Sequence, residues 1–273
     1  MASFDSTVVS ADHSSKAGGR LADLLVGPVF ALQFLTLVPP LVRREARVGE
    51  LGASEAFFPL VGLALGALLA GLGMLLAPFL AQSVRDVVLV AMLAVMTGAL
   101  HLDGLVDTFD GLFTGHTPGE RLAAMRDPRA GAYGVVAVVS VLLLKVAALG
   151  ALSGPARPLA LMLAPCLGRW TIVQATWFFP YARPSGVGRA FKDGLRLAHV
   201  LLAAAMALAA ALWLTGPLGL VLFGGAVAFT GLAGRAMAAR LGGLSGDTYG
   251  ALCELVETGV LLALGVAFLS TAK

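Results

Sequence analysis

The chain is written in long apolar blocks separated by short polar stretches. Blocks at about 59–81, 87–102, 134–152, 158–179, 197–214, 217–233 and 249–269 consist mostly of Leu, Val, Ala and Gly. They are continuous and do not alternate as a half-buried strand would. Runs approaching roughly 20 apolar residues are what a helix needs to cross a bilayer. Lipid offers no water to backbone polar groups, so only helices and closed barrels span it, and barrel strands alternate. The pattern therefore predicts an all-α fold, a polytopic integral membrane helix bundle of seven spans. An eighth apolar segment, 24–38, is short, contains Pro28 and runs into Pro39-Pro40. It spans the membrane, re-enters it or lies at its surface. Residues 1–20 are polar, lack the basic-then-apolar order of a signal peptide and read as a disordered tail. Residues 21–273 then form a single membrane domain.

Composition agrees with this reading. Hydrophobic residues make up 58% of the chain and charged ones only 13%, about half the share of a soluble domain. The net charge of +3 carries no nucleic-acid signature. Cys166 and Cys253 both lie in apolar blocks and read as small buried residues. The loops 41–56, 103–133, 180–196 and 234–248 hold twelve Lys and Arg, against three on the alternate side. That bias puts those four loops in the cytoplasm, and the expected location is the cell inner membrane.

Because charge is scarce, its placement is informative. The run His101-Leu102-Asp103-Gly104-Leu105-Val106-Asp107-Thr108-Phe109-Asp110-Gly111 follows an apolar block. Steps of four and three put Asp103, Asp107 and Asp110 within about 60° of one another on a helix. Like charges so placed repel, and more so at low dielectric. A hard divalent cation, shared with substrate phosphates, would relieve them, and Mg²⁺ is the natural one. The alternative is an ordinary solvated helix face. His101 points away from the acids and reads as a packed residue.

A second acid row closes the chain. Asp247, Glu254 and Glu257 share a helix face, and the two glutamates lie one to two turns inside an apolar block. Intramembrane carboxylates normally mark a cavity, an ion or a partner. The competing reading is a structural ion pair with Lys145 or Arg169, which also lie within blocks. Two facing acid rows can hold one or two Mg²⁺, which would neutralise phosphates, orient a nucleophile and support a leaving group. The phosphate clamps would come from Arg126, Arg129, Arg183, Arg189 and Lys192, the last three in a glycine-bearing loop. Basic loops at lipid headgroups are the plainer reading of any one of these.

The residues 102–111 just quoted resemble the signature of the cobalamin synthases, or adenosylcobinamide-GDP ribazoletransferases. The likeness extends to Phe58-Pro59-Leu60-Val61-Gly62, to the stretch 125–134 (Met-Arg-Asp-Pro-Arg-Ala-Gly-Ala-Tyr-Gly), and to 242–247 with Glu254 and Glu257. Arg126 stands where that family often has Lys, and Ser245 where Thr is common. The resemblance implies a membrane-embedded, Mg²⁺-dependent transferase acting on a corrinoid nucleotide and α-ribazole, or its 5′-phosphate, with release of GMP. On that resemblance Asp103, Asp107, Asp110 and Asp247 would bind the metal, Glu254 and Glu257 would be further ligands or the general base, and Arg126 and Arg129 would steady phosphates. Membrane lipid is its surround; a homo-oligomer is compatible with the sequence, which leaves the oligomeric state open. Two other readings remain. A CDP-alcohol phosphotransferase would need an Ala-Arg after Asp103-Gly104, where Leu105-Val106 stands. An ion-coupled transporter would run its path along Lys145, Arg169, Glu254 and Glu257.

Overall fold

The computed structural model describes residues 9–10 and 17–271, with side-chain surroundings for 23–268. The expected tail falls mostly outside the described residues. The helices are α1 (Ala17–Leu35), α2 (Val48–Ser54), α3 (Phe58–Leu75), α4 (Gln82–Met96), α5 (Leu100–Thr114) and α6 (Pro118–Ala124). They continue with α7 (Ala132–Gly150), α8 (Ala156–Phe178), α9 (Val187–Gly194), α10 (Leu197–Thr215), α11 (Leu218–Leu241) and α12 (Gly246–Thr271). A 3-10 turn, Glu55–Phe57, joins α2 to α3. The fold is all-α, as the continuous apolar blocks predict.

The number of spans differs from the expectation of seven. Among the described residues five helices are long and apolar enough to cross a membrane, or six if α4 and α5 count as one bent span. Two physical features account for the difference. The block 87–102 is broken: α5 turns by 89° from α4. Gly98 (φ +60°) and Ala99 (φ +57°) occupy the left-handed region between them, where a helix cannot continue. Hydropathy does not register such a turn, because the apolar residues run straight through it. The helix α8 is the second case. It is long enough, but Arg169, Thr171, Gln174 and Thr176 interrupt its apolar surface, and nearly every residue from Ala160 to Thr176 is buried by other helices.

The bundle is built around α8, which packs against α3, α12, α10 and α11. Gly62 and Gly66 of α3 make the closest approach: a Cβ on either would overlap the backbone of α8, at the Pro165 and Leu161 carbonyls. Pro165 has no N–H to give the Leu161 carbonyl, and Gly66 covers that carbonyl instead. Small residues permit such contact in membranes, where dispersion and not water drives helix association. Cys166 and Cys253 are buried and free.

Candidate active site

The first acid row meets the second at a single crossing. A Cβ on Gly104 of α5 would lie 2.6 Å from the Asp247 carbonyl oxygen, and one on Gly250 of α12 would lie 3.1 Å from the His101 Cα. Glycine at both positions lets the backbones touch, and so brings Asp103 and Asp107 to Asp247. Asp103 is exposed and Asp107 half-buried. The charged neighbours of Asp107 are Asp247, Asp103, Arg183 and Asp110.

Asp247 is held from two loops that form a joint. Gly242 (φ +77°) ends α11 in the left-handed conformation. The chain then pairs with the segment leaving α8: the Leu244 N–H donates to the Pro180 carbonyl and the Ala182 N–H to the Leu244 carbonyl, both at 2.8 Å. Arg183 continues one side of this joint and donates to Asp247 Oδ2 at 2.8 Å. Ser245 continues the other, its hydroxyl 3.2 Å from the same oxygen. The Ser245 N–H donates to Thr248 Oγ1 at 2.8 Å, which closes the first turn of α12. Three carboxylates and one guanidinium therefore converge, with a net charge of about −2 when all are ionised. Such a cluster attracts cations.

Other expected members lie elsewhere. Asp110 accepts the N–H groups of Gly131 (2.7 Å) and Gly134 (2.9 Å). It caps the N-terminus of α7, where a carboxylate is favoured by the helix dipole, and ties the 126–131 loop to α5. Glu254 and Glu257 also depart from the expected facing rows. Seven and ten residues beyond Asp247, they lie about 10 and 15 Å deeper along α12. Lys145 donates to both, and Arg169 donates to Glu257. All four side chains are buried. The ion-pair reading set beside the functional one is the arrangement found. His101 is buried against Arg169, with Nδ1 at 3.4 Å, away from the acids as its helical angle predicts.

The basic residues divide similarly. Arg183 alone among the five candidates bonds a carboxylate of the cluster. Arg126 is exposed and neighbours Tyr181 of the joint. Arg129 binds Asp127 through two bonds (3.0 and 2.8 Å), which holds the Asp127 carboxyl down to about 2. Arg189 pairs with Asp193 one turn along α9. The Lys192 ammonium donates to the carbonyls of Thr176 (2.8 Å) and Phe179 (2.7 Å) and so caps α8. Tyr181 and Tyr249 were not singled out by the sequence patterns, since neutral hydroxyls give no charge signal; Ser245 was marked only by standing where Thr is common.

Among the described residues no three His, Cys, Asp or Glu side chains already form a cage for one ion. Mg²⁺ does not require one, since it usually takes one or two carboxylates, waters and substrate phosphates. The hard oxygen donors of Asp103, Asp107 and Asp247, with uncompensated negative charge, fit that demand.

The family model described as cobalamin-5-phosphate synthase matches residues 27–265. A protein of Desulforamulus reducens named adenosylcobinamide-GDP ribazoletransferase is 39% identical over 235 residues, 86% of this chain and 94% of its own length. Proteins of the same name from Roseiflexus sp. and Stutzerimonas stutzeri are each 42% identical, over 86% and 87% of this chain and 87% and 97% of their own. No solved structure matches.

Proposed function

The chain belongs to the cobalamin-5-phosphate synthase family, and on that premise we propose how its carboxylate cluster serves the reaction. The chain is a multi-pass membrane transferase that joins adenosylcobinamide-GDP to ribazole in cobalamin biosynthesis. In the proposed chemistry a ribose hydroxyl oxygen of α-ribazole, or of its 5′-phosphate, bonds to the phosphorus on the corrinoid side arm. The bond from that phosphorus to the bridging oxygen breaks. Its electron pair leaves with GMP, and the hydroxyl proton is released.

Asp103, Asp107 and Asp247 would hold Mg²⁺. When bound, the ion would offset the charge of the diphosphate and of the departing GMP. Arg183 supplies the guanidinium at the cluster, where it can bind phosphate oxygens in a fork, and the exposed Arg126 is a further candidate for them. Asp110, Glu254 and Glu257 act through position: the first docks the 126–131 loop and the other two fix α12. We assign the site to the cytoplasmic face of the cell inner membrane. The twelve-to-three excess of Lys and Arg on that side supports this. The observation that carries the reading is the crossing of α5 and α12, which joins acids 144 positions apart in sequence, Asp103 and Asp247.

The test is GMP release from adenosylcobinamide-GDP and α-ribazole by the purified protein in detergent, with Mg²⁺ titrated. Turnover should vanish with chelator and return with Mg²⁺. Undiminished turnover in chelator would remove the metal from this account.

A further inference from the structure

Arg183 holds Asp247 by less than a guanidinium can give. Its Nη2 donates to Asp247 Oδ2 at 2.8 Å, and the Ser245 hydroxyl shares that oxygen at 3.2 Å. Nε, the second donor on the same edge of the fork, is buried and has no hydrogen-bond partner. Arg129 shows the complete grip: its Nε and Nη2 bond the two oxygens of Asp127 at 3.0 and 2.8 Å. A buried donor without a partner loses its hydration and regains nothing, and native proteins leave few such atoms. The Arg183 and Asp247 side chains are 17% and 24% exposed, so the pair stands at an opening and not in the sealed interior. Where it stands, Arg183 makes one bond of the fork and forgoes the other.

Asp247 is under a second demand. The crossing of α5 and α12 brings it to Asp103 and Asp107, and three carboxylates outnumber the one guanidinium bonded there. A divalent cation suits those oxygens better than Arg183 does, since it carries twice the charge and repels the guanidinium beside it. A diphosphate in turn suits Arg183 better than Asp247 does, because two phosphate oxygens fill both donors of one edge. Both preferences favour the same rearrangement. We propose that Arg183 and Mg²⁺ compete for Asp247, and that Arg183, displaced from the carboxylate, turns its whole fork to the diphosphate of the corrinoid nucleotide. Metal loading thereby readies the phosphate clamp. The proposal rests on the metal reading above.

The test is calorimetric titration of Mg²⁺ into the purified full chain in detergent, without substrate. Arg183→Gln removes the competing charge and should tighten Mg²⁺ binding roughly tenfold, the scale of one unit charge close to a divalent ion in water-like surroundings. An arginine that merely orients Asp247 gives the opposite sign, since losing an outer-shell partner weakens a metal roughly tenfold or more. Arg183→Lys keeps the charge and should return the Mg²⁺ affinity to that of the parent. KM for the GDP-activated corrinoid should rise in Arg183→Gln and stay raised in Arg183→Lys, because an ammonium lacks the fork. The unaltered protein gives a second measurement that no folding defect can obscure. Phenylglyoxal labelling of Arg183, followed by mass spectrometry, should speed up with Mg²⁺ and not with NaCl of equal ionic strength. Unchanged or weakened Mg²⁺ binding in Arg183→Gln, or labelling indifferent to Mg²⁺, overturns the exchange. An unmoved KM overturns the diphosphate as the destination of the fork. If Mg²⁺ binds neither parent nor variant, the metal reading is wrong and the exchange falls with it; if Mg²⁺ binds the parent and binds Arg183→Gln no tighter, the exchange falls alone.

Discussion

Replacing Lys145 by Met tests what keeps α12 in register. The buried network contains Lys145, Arg169, Glu254 and Glu257, two charges of each sign, with side chains 1–7% exposed. Lys145→Met preserves most of the volume but strands one negative charge in the bundle. Breaking a buried pair from one side costs about 3–5 kcal/mol. At about 2–4 °C per kcal/mol for a chain approaching this size, the melting temperature should drop by roughly 10 °C. Adding Glu254→Gln removes the stranded charge. The double variant should therefore melt above Lys145→Met, with a coupling of roughly 2 kcal/mol, within the range for residues in one network. The assay is thermal unfolding in detergent across all four members of the cycle, with Glu254→Gln as the single partner. Additive effects, or a Lys145→Met protein that melts with the parent, would refute charge balance as the function of these residues.

The site yields further expectations. Asp107→Asn and Asp247→Asn should each reduce GMP release by roughly 10²–10³-fold, the scale for losing one preorganised electrostatic group; melting curves should show both folded. Asp110→Ala should destabilise the protein by about 1 kcal/mol through the lost α7 cap, and a variant that melts unchanged would remove that assignment. Gly104→Ala puts a Cβ 2.6 Å from the Asp247 carbonyl. It should cost about 1–3 kcal/mol by overpacking and lower turnover further than Ala substitution at exposed Asp103's neighbour Leu102, measured in the same GMP assay.

The apolar blocks made the helices legible, because lipid leaves the backbone few choices. The α4–α5 turn was not legible, since it lies in the φ values of Gly98 and Ala99 and not in their hydropathy. Helical phase correctly put Asp103 and Asp107 on one face. It also grouped Asp110 with them, because an angle around an axis does not say which N–H groups lie opposite; Gly131 and Gly134 do, 21 and 24 residues away. Glu254 and Glu257 show the same limit in depth. Their partners Lys145 and Arg169 are 88 to 112 residues distant, and only the fold selects between an ion pair and a ligand.

The joint of the two loops decides where the protein tolerates added sequence. Arg183 and Asp247 hang from opposite sides of one short backbone ladder, so an insertion into either loop would move both. The turn at Ser153-Gly154 is different. It lies past the far end of α7, roughly 28 Å along that helix, is exposed, and leaves open space around Gly154. An epitope or fluorescent reporter spliced there would leave the chemistry untouched, while the same graft at 182–186 or 242–245 would silence it.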